Sequence, residues 1–253
     1  MGADWPRGYG VEILEETGST MDEARSRAAA GVPGPVWVMA RRQTSGRGRR
    51  GNVWGDPGGN LAATLLLRPK MGAKDAARLS FVSSLAVADM LGALAPDKRI
   101  QTKWPNDALI EGGKVSGILL ESEGQGDHLE WVSVGIGVNL AHAPEPTPGA
   151  AFPPVSLAAL LGEAPDAEDA LRELAAAFAR WLDIYRAQGF APLRDSWLAR
   201  AARLGERIEA RLPRETLSGV FADIDSDGAL VLETPQGTRK IAAAEVFFPQ
   251  NAP

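Results

Sequence analysis

Two apolar runs, Val36 to Arg42 and Asn60 to Leu67, read as buried strands, and the stretch between them cannot be core. Thr44 to Gly59 is too rich in glycine and charge to pack. A long segment without elements of its own inside a compact domain is usually functional or disordered. It opens with Gly46-Arg47-Gly48-Arg49-Arg50-Gly51, three glycines interleaved with three arginines. Glycine lets backbone approach a ligand closely, and arginine offers a fixed fork of donors suited to phosphate and carboxylate oxygens. The hexapeptide therefore describes a cationic loop able to fold over an anion. A basic surface loop or an RNA-binding tract would read the same way in isolation. Trp54 lies in the same segment, placed to stack on a base or to pin the loop.

The arginine cluster stands against an acidic background, a net charge of −5, whereas a general nucleic-acid binder is more often basic throughout. The absence of cysteine excludes disulfides, thiol nucleophiles and cysteine metal sites. His128 and His142 share no metal-ligand spacing and read as surface residues. The first residues lack a basic region followed by an apolar run, so no signal peptide is visible, and no apolar stretch reads as a membrane span. These features point to a cytoplasmic protein.

The remaining elements follow from pattern. Val11 to Leu14 reads as a strand. Thr20 and Glu23 fit a capping box for an alanine-rich helix to Ala30, while Ser19 and Thr20 could instead face a polar ligand at the helix start. Asp75 reads as the N-cap of a long core helix carrying Leu79, Val82, Ala86 and Met90 at helical spacing. Ile100 to Trp104, Ala108 to Ile110, Lys114 to Glu121 and Trp131 to Leu140 read as strands, with a turn at Glu111-Gly112-Gly113. Glycines inside the last of these, Gly135 and Gly137, mark a bulge or a ligand's close approach. Helices follow from Ser156 to Leu161, Asp166 to Gln188 and onward to Arg203. After Leu204 the signal changes to four short strands, Arg207 to Leu212, Leu217 to Ile224, Ala229 to Glu233 and Thr238 to Ala242, a small β-barrel on an α/β body.

Four stretches carry chemistry, and their order is more telling than any one of them: the glycine-arginine loop, Lys103-Trp104-Pro105-Asn106-Asp107, Lys114-Val115-Ser116-Gly117-Ile118-Leu119, and Gly135-Ile136-Gly137-Val138-Asn139. In this order they resemble the biotin–protein ligases over about Ile13 to Leu140, and more weakly in the terminal strands. The resemblance implies an α+β fold: a mixed β-sheet with flanking helices, like class II aminoacyl-tRNA synthetases, over residues 1–203. A small C-terminal SH3-like β-barrel over 204–253 would follow. It also implies a monofunctional member without an N-terminal DNA-binding domain, acting on neither DNA nor membrane, with a homodimer allowed.

The chemistry implied is attack of the biotin carboxylate on the α-phosphate of ATP. Biotinyl-5′-AMP then hands biotin to a lysine of the biotin carboxyl carrier protein domain of acetyl-CoA carboxylase and related carboxylases. No enzyme nucleophile is needed; the task is to bring anions together and stabilise charge on phosphorus. By resemblance Lys114, Arg47 and Lys103 are catalytic. Ser19, Thr20, Met21, Gln43, Gly46, Arg47, Gly48, Arg49, Lys114, Gly117 and Gly135 bind biotin. Arg49, Arg50, Gly51, Trp54, Lys103, Asn106, Asp107, Lys114 and Asn139 bind ATP, which brings Mg2+ with it. Asp107 is left between two roles, placing Lys114 or meeting magnesium. Met21 departs from the asparagine common in relatives, which puts one polar contact in doubt. Rival readings are a lipoate–protein ligase, whose signature histidine is missing near the loop, and a nucleotide- or RNA-binding regulator, which leaves Lys114 and the Ser19-Thr20 pair unexplained.

Overall fold

The computed structural model describes residues 3–48, 53–55, 57–125, 128–146, 152–212, 214–242 and 245–247. The larger sheet contains β1 (Gly10–Leu14), β2 (Val36–Ala40), β3 (Leu61–Leu67), β4 (Ile100–Lys103), β5 (Asp107–Ile110), β6 (Gly113–Gln125) and β7 (His128–Val138). Its strand order is β1-β2-β3-β7-β6-β5-β4. β1 runs parallel to β2 and the other neighbours pair antiparallel, so the sheet is mixed, as expected.

Alternation sorts the side chains onto two faces. Trp37, Met39, Leu61, Leu65, Val132, Val134 and Ile136 enter the main core. That core is completed by α3 (Leu79–Leu94) and α5 (Ala167–Gln188), with Trp37 edge-on to Phe178 at 5.8 Å. The opposite face receives α1 (Thr20–Ala29) over β2, β3 and β7, where Ala24 and Ala28 pack on Val36, Leu66 and Trp131. Beyond the start of α1 this second face carries the Trp54 ring.

The predicted helix from Asp75 is two helices. α2 (Ala73–Ala77) starts from Gly72, and α3 restarts after Arg78. Asp75 sits inside α2, and its carboxylate takes Arg78 at 2.7 Å rather than capping. The stretch 73–94 also corrects the expectation that nothing is long enough to span a membrane. With a mean hydropathy of 1.4 it meets the length and composition, and most of it is buried against β-strands and α5. The Thr20–Glu23 capping box does not form. Ser19 is the N-cap, without a side-chain cap bond, while Glu23 accepts from Thr17 at 2.8 Å and pairs with Arg27 at 2.7 Å. Ser156 and Asp166 do cap α4 (Leu157–Leu161) and α5.

After α6 (Ala191–Leu198) comes a second, antiparallel sheet of β8 (Arg207–Arg211), β9 (Thr216–Ile224), β10 (Leu230–Thr234), β11 (Gly237–Ile241) and β12 (Glu245–Phe247). Its order is β11-β10-β9-β8-β12. The expected small barrel thus appears as a five-stranded ladder, and among the described residues β11 and β12 do not pair to close it. β12 was not visible in the sequence. Ile208, Phe221, Ile224, Leu230 and Leu232 continue the main core, with Phe221 edge-on to Trp197 at 6.4 Å.

Candidate functional site

At the start of α1 the polar side chains converge on one another. Gln43 Oε1 accepts from the Thr20 amide at 2.8 Å and from the Thr20 hydroxyl at 3.0 Å, and Thr64 donates to Thr20 at 2.8 Å. All three are buried. Beside them Ser19 Oγ is buried without a partner, an arrangement that normally calls for a ligand or water. Thr64 was missed by sequence reading. Its signal was a lone hydroxyl inside an otherwise apolar strand, which burial obliges to find a partner.

Next to this cluster the sheet loses its side chains. Register places Ala62, Gly137, Gly117, Asp107 and Lys103 opposite one another on β3, β7, β6, β5 and β4. Thr64 and Gly135 stand opposite each other two residues along. The result is a glycine-floored trough on the α1 face. Met21 closes over one part, its sulfur 2.6 Å from where a Gly135 Cβ would sit. The Trp54 indole lies on another part, 2.3 Å from a would-be Gly137 Cβ and 3.1 Å from a would-be Gly117 Cβ. A side chain at 137 would collide with the ring, and one at 117 would press on it. Trp54 Nε1 is buried and unpartnered.

The far end of the trough is cationic, and a strand irregularity puts it there. Val115 and Ile118 both enter the core although three residues apart, which an unbroken strand forbids. The β5–β6 pairing slips between Ala108 and Leu109, so Ser116 faces Ala108 while Lys114 faces Leu109. Val115 is the extra residue of a β-bulge, and it returns Lys114 to the face of Asp107. Asp107 then holds Lys103 at 3.0 Å and Lys114 at 2.9 Å, one on each oxygen. Both Asp107 oxygens are thus engaged by ammonium groups. The Phe152 ring lies 5.3 Å from Lys103 Nζ. Backbone bonds from Lys114 N to Pro153 O at 2.9 Å and from Val155 N to Lys114 O at 3.0 Å fix the bulged strand from outside.

Burial raises the Asp107 carboxyl pKa, but the two lysines beside it more than offset this and hold it below the ordinary carboxylate value. A depressed folded-state value stabilises the fold above the unfolded value of about 3.9, and that contribution is lost as pH falls through the folded value. In urea unfolding between pH 6 and 3, Asp107→Asn should therefore lose less stability on acidification than the parent. Parallel curves would remove Asp107 from the acid response.

The other expected residues are placed as follows. Arg47 pairs with Asp22 at 2.8 Å and approaches Glu121 at 3.6 Å, tying the loop to α1 and β6. Neither acid was singled out from sequence. Gly46 is buried and accepts from Trp54 N at 2.9 Å, and Gly48 is half-buried. Asn106 donates to the Ile118 carbonyl, and Asn139 donates to Val155 O at 3.1 Å. Both amides thus brace the strands around the trough. Arg49, Arg50 and Gly51 lie outside the described residues.

The profile of the Biotin/lipoate A/B protein ligase family matches residues 15–139, and that of the Biotin protein ligase C terminal domain matches 204–248. The chain is 54% identical to a Biotin--[acetyl-CoA-carboxylase] ligase of Paracoccus denitrificans over 93% of this chain and 99% of that one. The chain belongs to the biotin protein ligase family. A more distant member, the Bifunctional ligase/repressor BirA of Bacillus subtilis, is 33% identical, and the match covers 90% of this chain but 70% of that protein. The biotin protein ligase of Aquifex aeolicus, solved in complex with biotin and ATP, superposes with a TM-score of 0.79 at 24% identity. That match covers 94% of this chain and 97% of the other, and shows the shared fold. The fold on which the trough is built is thus shared with the Aquifex aeolicus protein.

Proposed function

We propose that this family member is an ATP-dependent biotin ligase that forms biotinyl-5′-AMP and passes biotin to a lysine of the carrier domain of acetyl-CoA carboxylase and related carboxylases. The observation that carries the reading is the trough. A buried, partly unsatisfied hydroxyl cluster at one end and two lysines on one aspartate at the other flank a floor without side chains. An amphipathic acid with a polar ring head and a carboxylate tail suits that distribution.

Ser19, Thr20 and Gln43 would take the ureido ring, Met21 and the glycines its apolar body, and Lys114 the carboxylate. Lys114 and Lys103 would face the α-phosphate as the carboxylate oxygen attacks phosphorus and the bond to pyrophosphate breaks. Trp54 would cover the adenine. In the second step the carrier lysine attacks the anhydride carbonyl and AMP leaves. Magnesium would come with the nucleotide phosphates rather than on Asp107. We also place a domain boundary after Arg203. In the larger sheet a homodimer would use the β1 edge, which exposes Val11 and Ile13, whereas the outer edge of β4 is taken by Arg200 and Ala202 through Thr102.

The deciding experiment supplies labelled biotin, ATP and a carrier domain. Label on the carrier lysine, dependent on ATP, supports the reading, and lipoate taken in preference to biotin would overturn it.

A mixed anhydride survives only where water is excluded. Arg47 tethers the loop to α1 and β6, so Arg47→Ala should let it open and release free biotinyl-AMP, labelling bystander proteins. Complete inactivity without leakage of adenylate would make Arg47 catalytic rather than protective.

A further inference from the structure

Lys103 and Asp107 are cross-strand partners at the end of the β4–β5 hairpin, so the chain between them, Trp104-Pro105-Asn106, sets where the cationic end of the trough lies. Two side chains anchor this connection. Asn106 is anchored to the same sheet, at the Ile118 carbonyl. Trp104, 3% exposed, is anchored elsewhere: its indole N–H donates at 3.1 Å to the carbonyl of Gly228, in the β9–β10 turn of the second sheet.

That turn is built as a peg. Asp225 accepts from the Asp227 and Ala229 amides at 2.9 and 3.0 Å. Gly228 adopts φ +88°, and a Cβ there would lie 2.9 Å from the Phe81 ring, so only glycine seats this close. Arg78 donates to Ser226 O at 3.0 Å, and Asp227 pairs with Lys74 at 2.9 Å and Arg78 at 3.2 Å. The peg is thereby fixed to α2 and to the start of α3, and presents one carbonyl to Trp104.

We infer that Trp104 is a positioning residue through which the second sheet sets the Lys103–Asp107–Lys114 cluster. The second sheet thereby acts on adenylate formation through the cationic end of the trough, away from the Ser19–Thr20–Gln43 cluster. The inference rests on the ligase reading above. Phenylalanine at 104 would retain the aromatic packing and lose only the N–H, so a purely structural tryptophan would tolerate it. Asp227 pairs with Lys74 and Arg78, neither of them a residue of the trough.

The test is biotin-dependent ATP–pyrophosphate exchange in the full chain, with the kcat and the KM for ATP separated, beside biotin binding without nucleotide. Losing one net hydrogen bond corresponds to about 2- to 13-fold. Trp104→Phe should lower kcat by about that factor while biotin binding, which Ser19, Thr20, Gln43 and Met21 share with Lys114, falls less. Asp227→Ala should reproduce the effect and speed hydrogen exchange of the Trp104 indole N–H. The double variant should be no slower than the slower single, because both act on one contact. Single variants that lower only the thermal midpoint, or effects that multiply as if independent, would overturn the inference while the ligase reading stands. A parent chain without biotin-dependent exchange would remove both.

Discussion

Replacing Lys114 by alanine should lower biotin-dependent ATP–pyrophosphate exchange by roughly 10²- to 10³-fold and leave the fold in place. The Lys114 side chain is 37% exposed, and its partner Asp107 keeps Lys103 at 3.0 Å, so the substitution leaves no orphaned buried carboxylate. Its ammonium is a compact charge able to serve a carboxylate and a phosphoryl group at once. Negative charge at the α-phosphorus grows as the fifth oxygen approaches, so the interaction is stronger in the transition state than with bound substrates. The loss should therefore appear in kcat as well as in kcat/KM. Transfer from chemically supplied biotinyl-AMP should suffer less, since the substitution at phosphorus is already complete. The two half-reactions measured side by side decide the matter. Exchange close to the parent rate would assign the phosphate to Lys103 and return Lys114 to a hairpin-end role.

A second large effect is expected at Gly137. A Cβ there would lie 2.3, 2.5 and 2.7 Å from three atoms of the Trp54 indole. Gly137→Val places still more volume on the trough floor, and the ring and the side chain cannot share the space. Gly137 pairs on both sides with neighbouring strands, whereas Trp54 belongs to a connecting loop, so the ring should yield. Overpacking costs about 1–3 kcal/mol, spread here into a segment outside the core. Catalysis should fall by about 10²-fold or more, the cost of displacing a positioning group by an ångström. The check pairs urea unfolding with exchange kinetics. A variant that keeps both stability and full exchange would show that the trough floor is not where the ligand lies.

The sequence was informative wherever local pattern decides structure. The strands Val36–Ala40 and Leu61–Leu67 were marked by continuous apolar runs and the helix Ala167–Gln188 by its period and Asp166 cap. The order of the four motifs named the family. What stayed hidden depends on pairing between distant segments. The bulge at Val115 has no compositional signal, yet it decides which face Lys114 occupies. The helix break at Arg78 is similarly silent: no glycine or proline stands between Ala73 and Leu91, and Arg78 is engaged by the second sheet. The Thr20–Glu23 spacing satisfied a capping rule, but Gln43 outcompeted it for the Thr20 hydroxyl and Thr17 for the Glu23 carboxylate. Asn106 and Asn139 looked like ligand-facing amides. Their donors reach backbone carbonyls of Ile118 and Val155, partners that only the folded sheet brings near.

The row Ala62–Gly137–Gly117–Asp107–Lys103 crosses five strands that are scattered along the chain. A cut in the exposed turn at Glu111 and Gly112, both at positive φ, would leave Lys103 and Asp107 on one fragment and Lys114, Gly117 and Gly137 on the other. One piece would hold the glycine floor and Lys114, the other Lys103, Asp107 and the Ser19–Thr20–Gln43 cluster, so neither would own the cation pair. Biotinylation would then report reassembly of β5 on β6 directly, which makes this turn a natural seam for a split reporter of molecular proximity.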